Sequence, residues 1–235
     1  DTVVIITATF NERALPTPQI AIDYQGVGDD IAATNMSIGT DSTIWTYDAT
    51  IPAGEGNNDI ATVTLTSTDL ALNALRVADV ANSDTLEVDN TFPTASISYT
   101  DSLTKENDEV DITVTFSEEM VSSPQIAILY AGGTELDTVN MSQVNDTVWA
   151  YSNITIPDGN DGAATTSIIA KDLAGNSLLN TNTTNRSLMR LDNVHPTFTL
   201  LSPDSSEYVN HTLVGYKLSE TSFSGSVTWT RVGGE

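Results

Sequence analysis

The sequence predicts an all-β chain made of tandem sandwich domains of about seven strands each. Three observations lead there. Short segments alternate apolar and polar residues with a period of two. An internal repeat of roughly 100 residues runs through the chain. No stretch carries a convincing helical pattern.

The repeat sets the organisation. Residues 1–24 lie on residues 107–130 without a gap. Ile6-Thr7-Ala8-Thr9-Phe10 falls on Ile112-Thr113-Val114-Thr115-Phe116, and Glu12 falls on Glu118. Pro18-Gln19-Ile20-Ala21-Ile22 falls on Pro124-Gln125-Ile126-Ala127-Ile128. Further on, Trp45 meets Trp149, Asp69-Leu70-Ala71 meets Asp172-Leu173-Ala174, and Val88-Asp89-Asn90 meets Leu191-Asp192-Asn193. Three units follow. Residues 1–90 form unit one, which lacks a counterpart of the first strand of unit two. Residues 91–193 form a complete unit two. Residues 194–235 begin a divergent third unit, truncated. The chain is thus expected to be a window from a longer array, or else to take its missing strands from a neighbouring molecule.

Within unit two, Thr94–Thr100 alternates Ala95, Ile97 and Tyr99 against Ser96 and Ser98. Val110–Phe116 sets Val110, Ile112, Val114 and Phe116 against Asp111, Thr113 and Thr115. Both patterns fit half-buried strands. Gln125–Tyr130, Glu135–Met141, Thr147–Thr155, Ala163–Lys171 and Arg186–Leu191 complete the set, broken by Gly132-Gly133, Asn145-Asp146 and Pro157–Gly162. Short strands at this spacing predict an immunoglobulin-like sandwich.

The segments ITVTFSEEM at 112–120, KDLAGNSLL at 171–179 and VDNTFPT at 88–94 resemble bacterial immunoglobulin-like repeats. Such repeats occur in tandem in large surface and secreted proteins, including calcium-dependent adhesins. The resemblance covers most of units one and two. Unit three, VGYKLSETSFSGSVTWT at 214–230, looks like a divergent relative, and unit one departs where Leu72 replaces Gly175. The resemblance implies the fold and an extracellular or cell-surface location. Its implied role is a structural or adhesive one, an extended rod or spacer.

Composition narrows the function classes. Lys and Arg total 8 against 32 Asp and Glu, for a formal charge of −24. That leaves no footprint for nucleic acid and disfavours an anionic membrane surface. The partners that suit it are cations, Ca2+ above all, besides neighbouring domains of the same chain and a cell-surface or glycan ligand. No apolar run reaches the ~20 residues of a membrane helix. Cysteine is absent, so disulfides, thiol catalysis and thiolate zinc sites are excluded. The histidines are His195 and His211, and no Gly-x-Ser-x-Gly or His-Glu-x-x-His motif occurs. The acids recur at domain poles rather than in one cleft, so the expectation is a non-enzyme.

Strand order brings acids together. In a seven-stranded sandwich the second and sixth strands end at the pole where the chain enters. That pole collects Glu118 and Glu119, Asp172 and Asn176, and the entering Asp89-Asn90. The loop at Glu55–Asp59 of unit one faces the same joint. Crowded carboxylates repel and raise one another's pKa, and a hard divalent cation relieves this by taking six to eight oxygens. A Ca2+ site is therefore expected at the first joint from Asp89, Glu118 and Asp172 with Asn90 assisting. A second is expected from Asp192 and Glu220 with Asn193 assisting. Unit one keeps Glu12 and Asp69 in the matching places. The competing reading is turn chemistry alone, since an Asp in Asp172-Leu-Ala-Gly-Asn also stabilises its own turn. The Asp158–Gly162 stretch lacks the Glu-terminated twelve-residue frame of a calcium loop.

Trp45 and Trp149 occupy matching strand positions, as core residues or as a sugar-stacking platform, and Trp229 is expected to play the same part in unit three. Carbohydrate-binding modules of a secreted enzyme, or a filament subunit using strand exchange, are the alternative functions.

Overall fold

The computed structural model describes residues 2–25, 29–54, 58–81, 85–202, 213–221, 224–226 and 228. The expectations for His211, Trp229 and most of the Glu55–Asp59 loop lie outside the described residues.

The chain is all-β, and among the described residues the helical turns are three residues long. Unit one contains β1 (Val3–Thr9), β2 (Gln19–Asp23), β3 (Ile31–Asn35), β4 (Ser37–Ile38), β5 (Ile44–Thr50), β6 (Asp59–Thr66) and β7 (Thr85–Val88). They form two sheets, β1-β5-β4 and β3-β2-β6-β7. Unit two contains β8 (Ala95–Tyr99), β9 (Leu103–Thr104), β10 (Glu109–Phe116), β11 (Gln125–Leu129), β12 (Glu135–Asn140), β13 (Ser142–Asn145), β14 (Val148–Thr155), β15 (Gly162–Ala163), β16 (Thr165–Ile169), β17 (Thr183–Thr184) and β18 (Arg190–Leu191). One sheet runs β13-β14-β10-β8-β17 and another runs β12-β11-β16, with β15-β18-β9 beside them. Beyond these, β19 (Phe198–Ser202) pairs with β20 (Gly215–Leu218).

The alternation in the sequence is the reason for the sandwich. On β10, Val110, Ile112 and Val114 are fully buried and Phe116 nearly so, while the intervening Asp111, Thr113 and Thr115 face outward. From the opposite sheet, Ile126, Ile128 and Ile168 meet them, and Trp149 is 7% exposed within the same core. Unit one has its own core around Ile20, Ile22, Tyr24, Met36, Trp45 and Ala49. Each buried aliphatic side chain stabilises its unit by roughly 1.5–3 kcal/mol relative to exposure.

Several boundaries differ from the sequence expectation. Thr147–Thr155 starts one residue late, and a separate β13 precedes it. Ala163–Lys171 divides into β15 and β16, which pair with different partners. Arg186–Leu191 shortens to β18, and the backbone N–H of Thr166 donates instead to the Arg186 carbonyl. These pieces pair in parallel with strands near the domain entrance, β17 with β8 and β18 with β9. Two-residue parallel pairings leave no periodicity for a sequence pattern to show.

Candidate metal centre at the first joint

The site begins with β10. It delivers Ser117 and Glu118 to the entry pole, and a reciprocal pair of bonds fixes them there. The Ser117 N–H donates to the Thr94 carbonyl (3.0 Å), and the Thr94 N–H donates to Ser117 Oγ (3.0 Å). Asp172 follows β16 and is held by an isolated bridge to Met120. Its turn is closed by Gly175 N–H to the Asp172 carbonyl (3.2 Å) and Asp172 N–H to the Asn176 carbonyl (3.1 Å). Gly175 sits at φ +94°, a conformation that glycine adopts without steric cost. Asp89 ends the strand-to-linker passage, and its Oδ1 accepts from the Thr91 N–H (2.8 Å).

These elements bring one carboxylate oxygen each of Asp89, Glu118 and Asp172 within 4.8 Å of one another. Asp172 is fully buried. Its Oδ1 accepts from the Asn176 N–H (2.8 Å), but its Oδ2 is buried with no hydrogen-bond partner. A buried carboxylate oxygen left unpaired costs free energy, so such groups call for a donor or a cation. Burial, then the charges of Asp172 and Asp89, push the Glu118 carboxyl above its usual range, against a lowering from Ser117.

Unit one provides the comparison. Asp69 occupies the place of Asp172, and its turn satisfies it entirely. Oδ1 accepts from the N–H groups of Ala71 (2.7 Å) and Asn73 (2.8 Å), and Oδ2 accepts from Asn73 Nδ2 (2.7 Å). In unit two the matching side chain, Asn176, donates to the Asp89 carbonyl instead (3.0 Å). That redirected amide leaves Asp172 Oδ2 open toward the joint. The turn itself survives in unit one although Leu72 replaces glycine. Leu72 takes φ +68° and its N–H still donates to the Asp69 carbonyl (3.1 Å).

Asn90 turns the other way. Its N–H donates to Asn58 Oδ1 (2.6 Å), and its Nδ2 donates to the carbonyls of Pro52 (3.1 Å) and Gly54 (3.2 Å) in unit one. Asn58 also donates to Thr91 Oγ1 (2.5 Å). The linker is thereby bonded to both neighbouring units.

At the second joint the scaffold repeats. The Ser219 N–H donates to the Thr197 carbonyl (3.0 Å), and the Thr197 N–H donates to Ser219 Oγ (2.8 Å). Asp192 Oδ1 accepts from the Val194 N–H (3.2 Å). Asn193 accepts from the Glu106 N–H (2.5 Å) and donates its own N–H to Asp161 (2.5 Å). Glu220 keeps one buried oxygen without a partner. Among the described residues, the Asp89, Glu118 and Asp172 set is the one acidic triplet of this compactness.

The Asp158–Gly162 stretch is ordered as a turn, with Asn160 Nδ2 donating to the Asp158 carbonyl (2.7 Å). Nearby, a hydrogen bond with Asp158 and its charge raise the Glu106 carboxyl. Trp45 and Trp149 are each only 7% exposed, which places them in the cores.

No protein family matches the chain, and no curated protein does. Among solved structures, it is similar to a tetra-tandem repeat from the extending region of a large adhesion protein. That likeness has 16% identity and a TM-score of 0.36, and covers 75% of this chain and 46% of the other. A second likeness is to the type II cohesin dyad of the adaptor scaffoldin ScaA of Acetivibrio cellulolyticus. It has 10% identity and a TM-score of 0.20, and covers 77% of this chain and 91% of the other.

Proposed function

We propose that this chain is a structural spacer of an extracellular or surface protein, built of immunoglobulin-like units in series and stiffened by Ca2+ at the joint between units one and two. The observation that carries the reading is the Asp89, Glu118 and Asp172 set, with the buried Asp172 Oδ2 lacking a partner. Hard oxygens from loops at this spacing suit Ca2+, which accepts irregular geometry and mixed carboxylate and carbonyl ligands. The location gives the cation a structural consequence. Asp89 belongs to the linker while Glu118 and Asp172 belong to unit two, so a shared ion fixes the direction in which the linker enters.

Two features support a spacer rather than a binding module. The linker is hydrogen-bonded on both sides, so the joint is built and not merely tethered. Burial of Trp149 removes the aromatic platform that a glycan-binding reading needs.

Small-angle scattering and melting curves in EDTA and in millimolar Ca2+ test the proposal. Ca2+ is expected to narrow the distribution of end-to-end lengths and to raise the melting temperature of unit two. A ligand present at 100 times its Kd stabilises by about 2.7 kcal/mol. If neither quantity changes, the acids at the joint are turn and surface residues and the metal is excluded.

A further inference from the structure

In unit two the chain leaves one sheet and joins the other at Met141, between the end of β12 at Asn140 and the start of β13 at Ser142. β13 is short. It sets Ser142 opposite Ala150, and from Tyr151 onward β14 has no described strand on that edge. β12 ends the facing sheet. Residues of both strands line a cavity of about 250 Å³, among them Leu136, Tyr151 and Asn153 with Tyr130 and the exposed Thr134 and Glu135. Burial and then the neighbouring Tyr151 raise the Tyr130 hydroxyl above its ordinary range. Pockets for drug-sized ligands hold roughly 300–1,000 Å³, so this one suits a single ring.

A difference between the units bears on the cavity. In unit one β1 pairs with β5 in unbroken register, from Val3 opposite Thr50 to Thr9 opposite Ile44. In unit two the register of β10 and β14 shifts between Val110 and Ile112. Trp149 and Pro157 are accordingly eight positions apart, against seven for Trp45 and Pro52. The added residue falls at Ser152-Asn153, and Asn153 takes φ +59°. Its N–H donates to Asp111 Oδ1 (2.9 Å), while its side-chain amide has no partner among the described residues. Bulges re-aim side chains, and both they and left-handed residues concentrate beside functional sites. In unit one, which has no such shift, the hydroxyl of the matching Tyr24 is buried without a partner.

We propose that this cavity binds one neutral sugar ring, as presented at the end of a glycan chain. Tyr130, Tyr151 and Leu136 supply apolar surface for the C–H face of a pyranose. The Asn153 amide, the Thr134 hydroxyl and the Glu135 carboxylate supply donors and acceptors for its hydroxyls. Among the described residues no Lys or Arg lines the cavity, and Glu135 and the formal charge of −24 repel anions, so acidic and phosphorylated sugars are rejected. Trp149 stays out of reach in the core, so the site is a small one carried by a spacer and not an extended aromatic platform. It also lies apart from the first joint. Val148 at the start of β14 pairs with Thr115 near the entry pole, whereas the cavity takes residues from the far end of that strand. Sugar binding therefore does not rest on Ca2+.

Nuclear magnetic resonance on the isotope-labelled whole chain tests this, in EDTA and in Ca2+. Methyl α-glucoside, methyl α-mannoside and methyl α-galactoside are each titrated to tens of millimolar. At least one is expected to shift the amides of Glu135, Leu136, Tyr151 and Asn153 in both buffers, with a Kd on the order of millimolar. The amides of Thr91 and Ser117 at the first joint are expected to stay unmoved. Asn153→Gly keeps the N–H that reaches Asp111 and fits the left-handed backbone. It is expected to preserve the melting temperature while weakening sugar binding about fivefold, the scale of one hydrogen bond. Absence of shifts with all three hexosides overturns the proposal, and so does undiminished binding by Asn153→Gly. An equal response to cyclohexanol, which fills the same space with one hydroxyl, overturns it as well, as does tighter binding of N-acetylneuraminic acid than of any hexoside.

Discussion

At Asp172 and Asp69 the same residue in the same turn has two fates. Asp69 spends both oxygens inside its own loop, whereas Asp172 keeps one buried oxygen for the joint. An Asp172→Asn substitution retains an acceptor for the Asn176 N–H and removes the buried charge. In EDTA its melting temperature is expected to equal or exceed that of the native chain by a few degrees, because repulsion with Asp89 and Glu118 is relieved. In Ca2+ it is expected to show no upward shift. Calorimetry in both buffers checks the pair. Asp69 makes a separate prediction. Hydrogen bonds from the Asn73 side chain and backbone hold its carboxyl below its usual range, against an opposing burial effect and with a lesser lowering from the Ala71 N–H. A folded pKa below the unfolded value means stability that is present above the unfolded pKa and lost as pH falls through the folded one. Unit one is therefore expected to weaken on the acid side of the ordinary aspartate range. Asp69→Asn is expected to flatten that limb in melting curves taken from pH 4 to pH 2. Glu118, raised by burial, has the opposite sign: its contribution is present at low pH and lost as pH rises through its folded pKa.

Among elements, the turn after the sixth strand shows how far local chemistry can be read. Gly175 announces a left-handed position, and the sequence alone leaves unit one's turn in doubt because Leu72 stands there. Hydrogen bonds donated to Asp69 Oδ1 by the Ala71 and Asn73 N–H groups hold the same turn regardless, with a left-handed leucine costing roughly 1 kcal/mol. Leu72 is 79% exposed, so removing its side chain loses little packing. Leu72→Gly is expected to stabilise unit one by about 0.5 kcal/mol, the relief of strain minus the added freedom of the unfolded chain. The test is the unit-one transition in a calorimetric scan. Strands β8 and β10 are legible from period-two alternation, and the meeting of Glu118, Asp172 and Asp89 is legible from strand order. The direction of Asn90 is not legible. Its partners, Asn58, Pro52 and Gly54, come from a loop whose approach no local pattern encodes. The two-residue strands β9 and β17 are hidden for the same reason.

Across the whole molecule, a formal charge of −24 imposes self-repulsion that ordinary salt screens. Sodium chloride is expected to raise the melting temperature modestly in the native chain and in Asp172→Asn alike. Millimolar Ca2+ at matched ionic strength is expected to add a further rise in the native chain alone. Melting curves in the two salts separate diffuse screening from a bound ion. Charge, cysteine content and the repeat are all readable in the order of residues alone, because they are sums over the chain and not matters of contact. The parallel pairings of unit two bear on what happens when such a chain is pulled. The polypeptide enters through β8 and β9 and leaves through β17 and β18. Each entering strand lies parallel to a leaving one, with Thr183 beside Ala95 and Arg190 beside Leu103. Tension on the two ends therefore slides these strands past each other, loading their hydrogen bonds together in shear. An antiparallel pairing of the terminal strands would peel open one bond at a time.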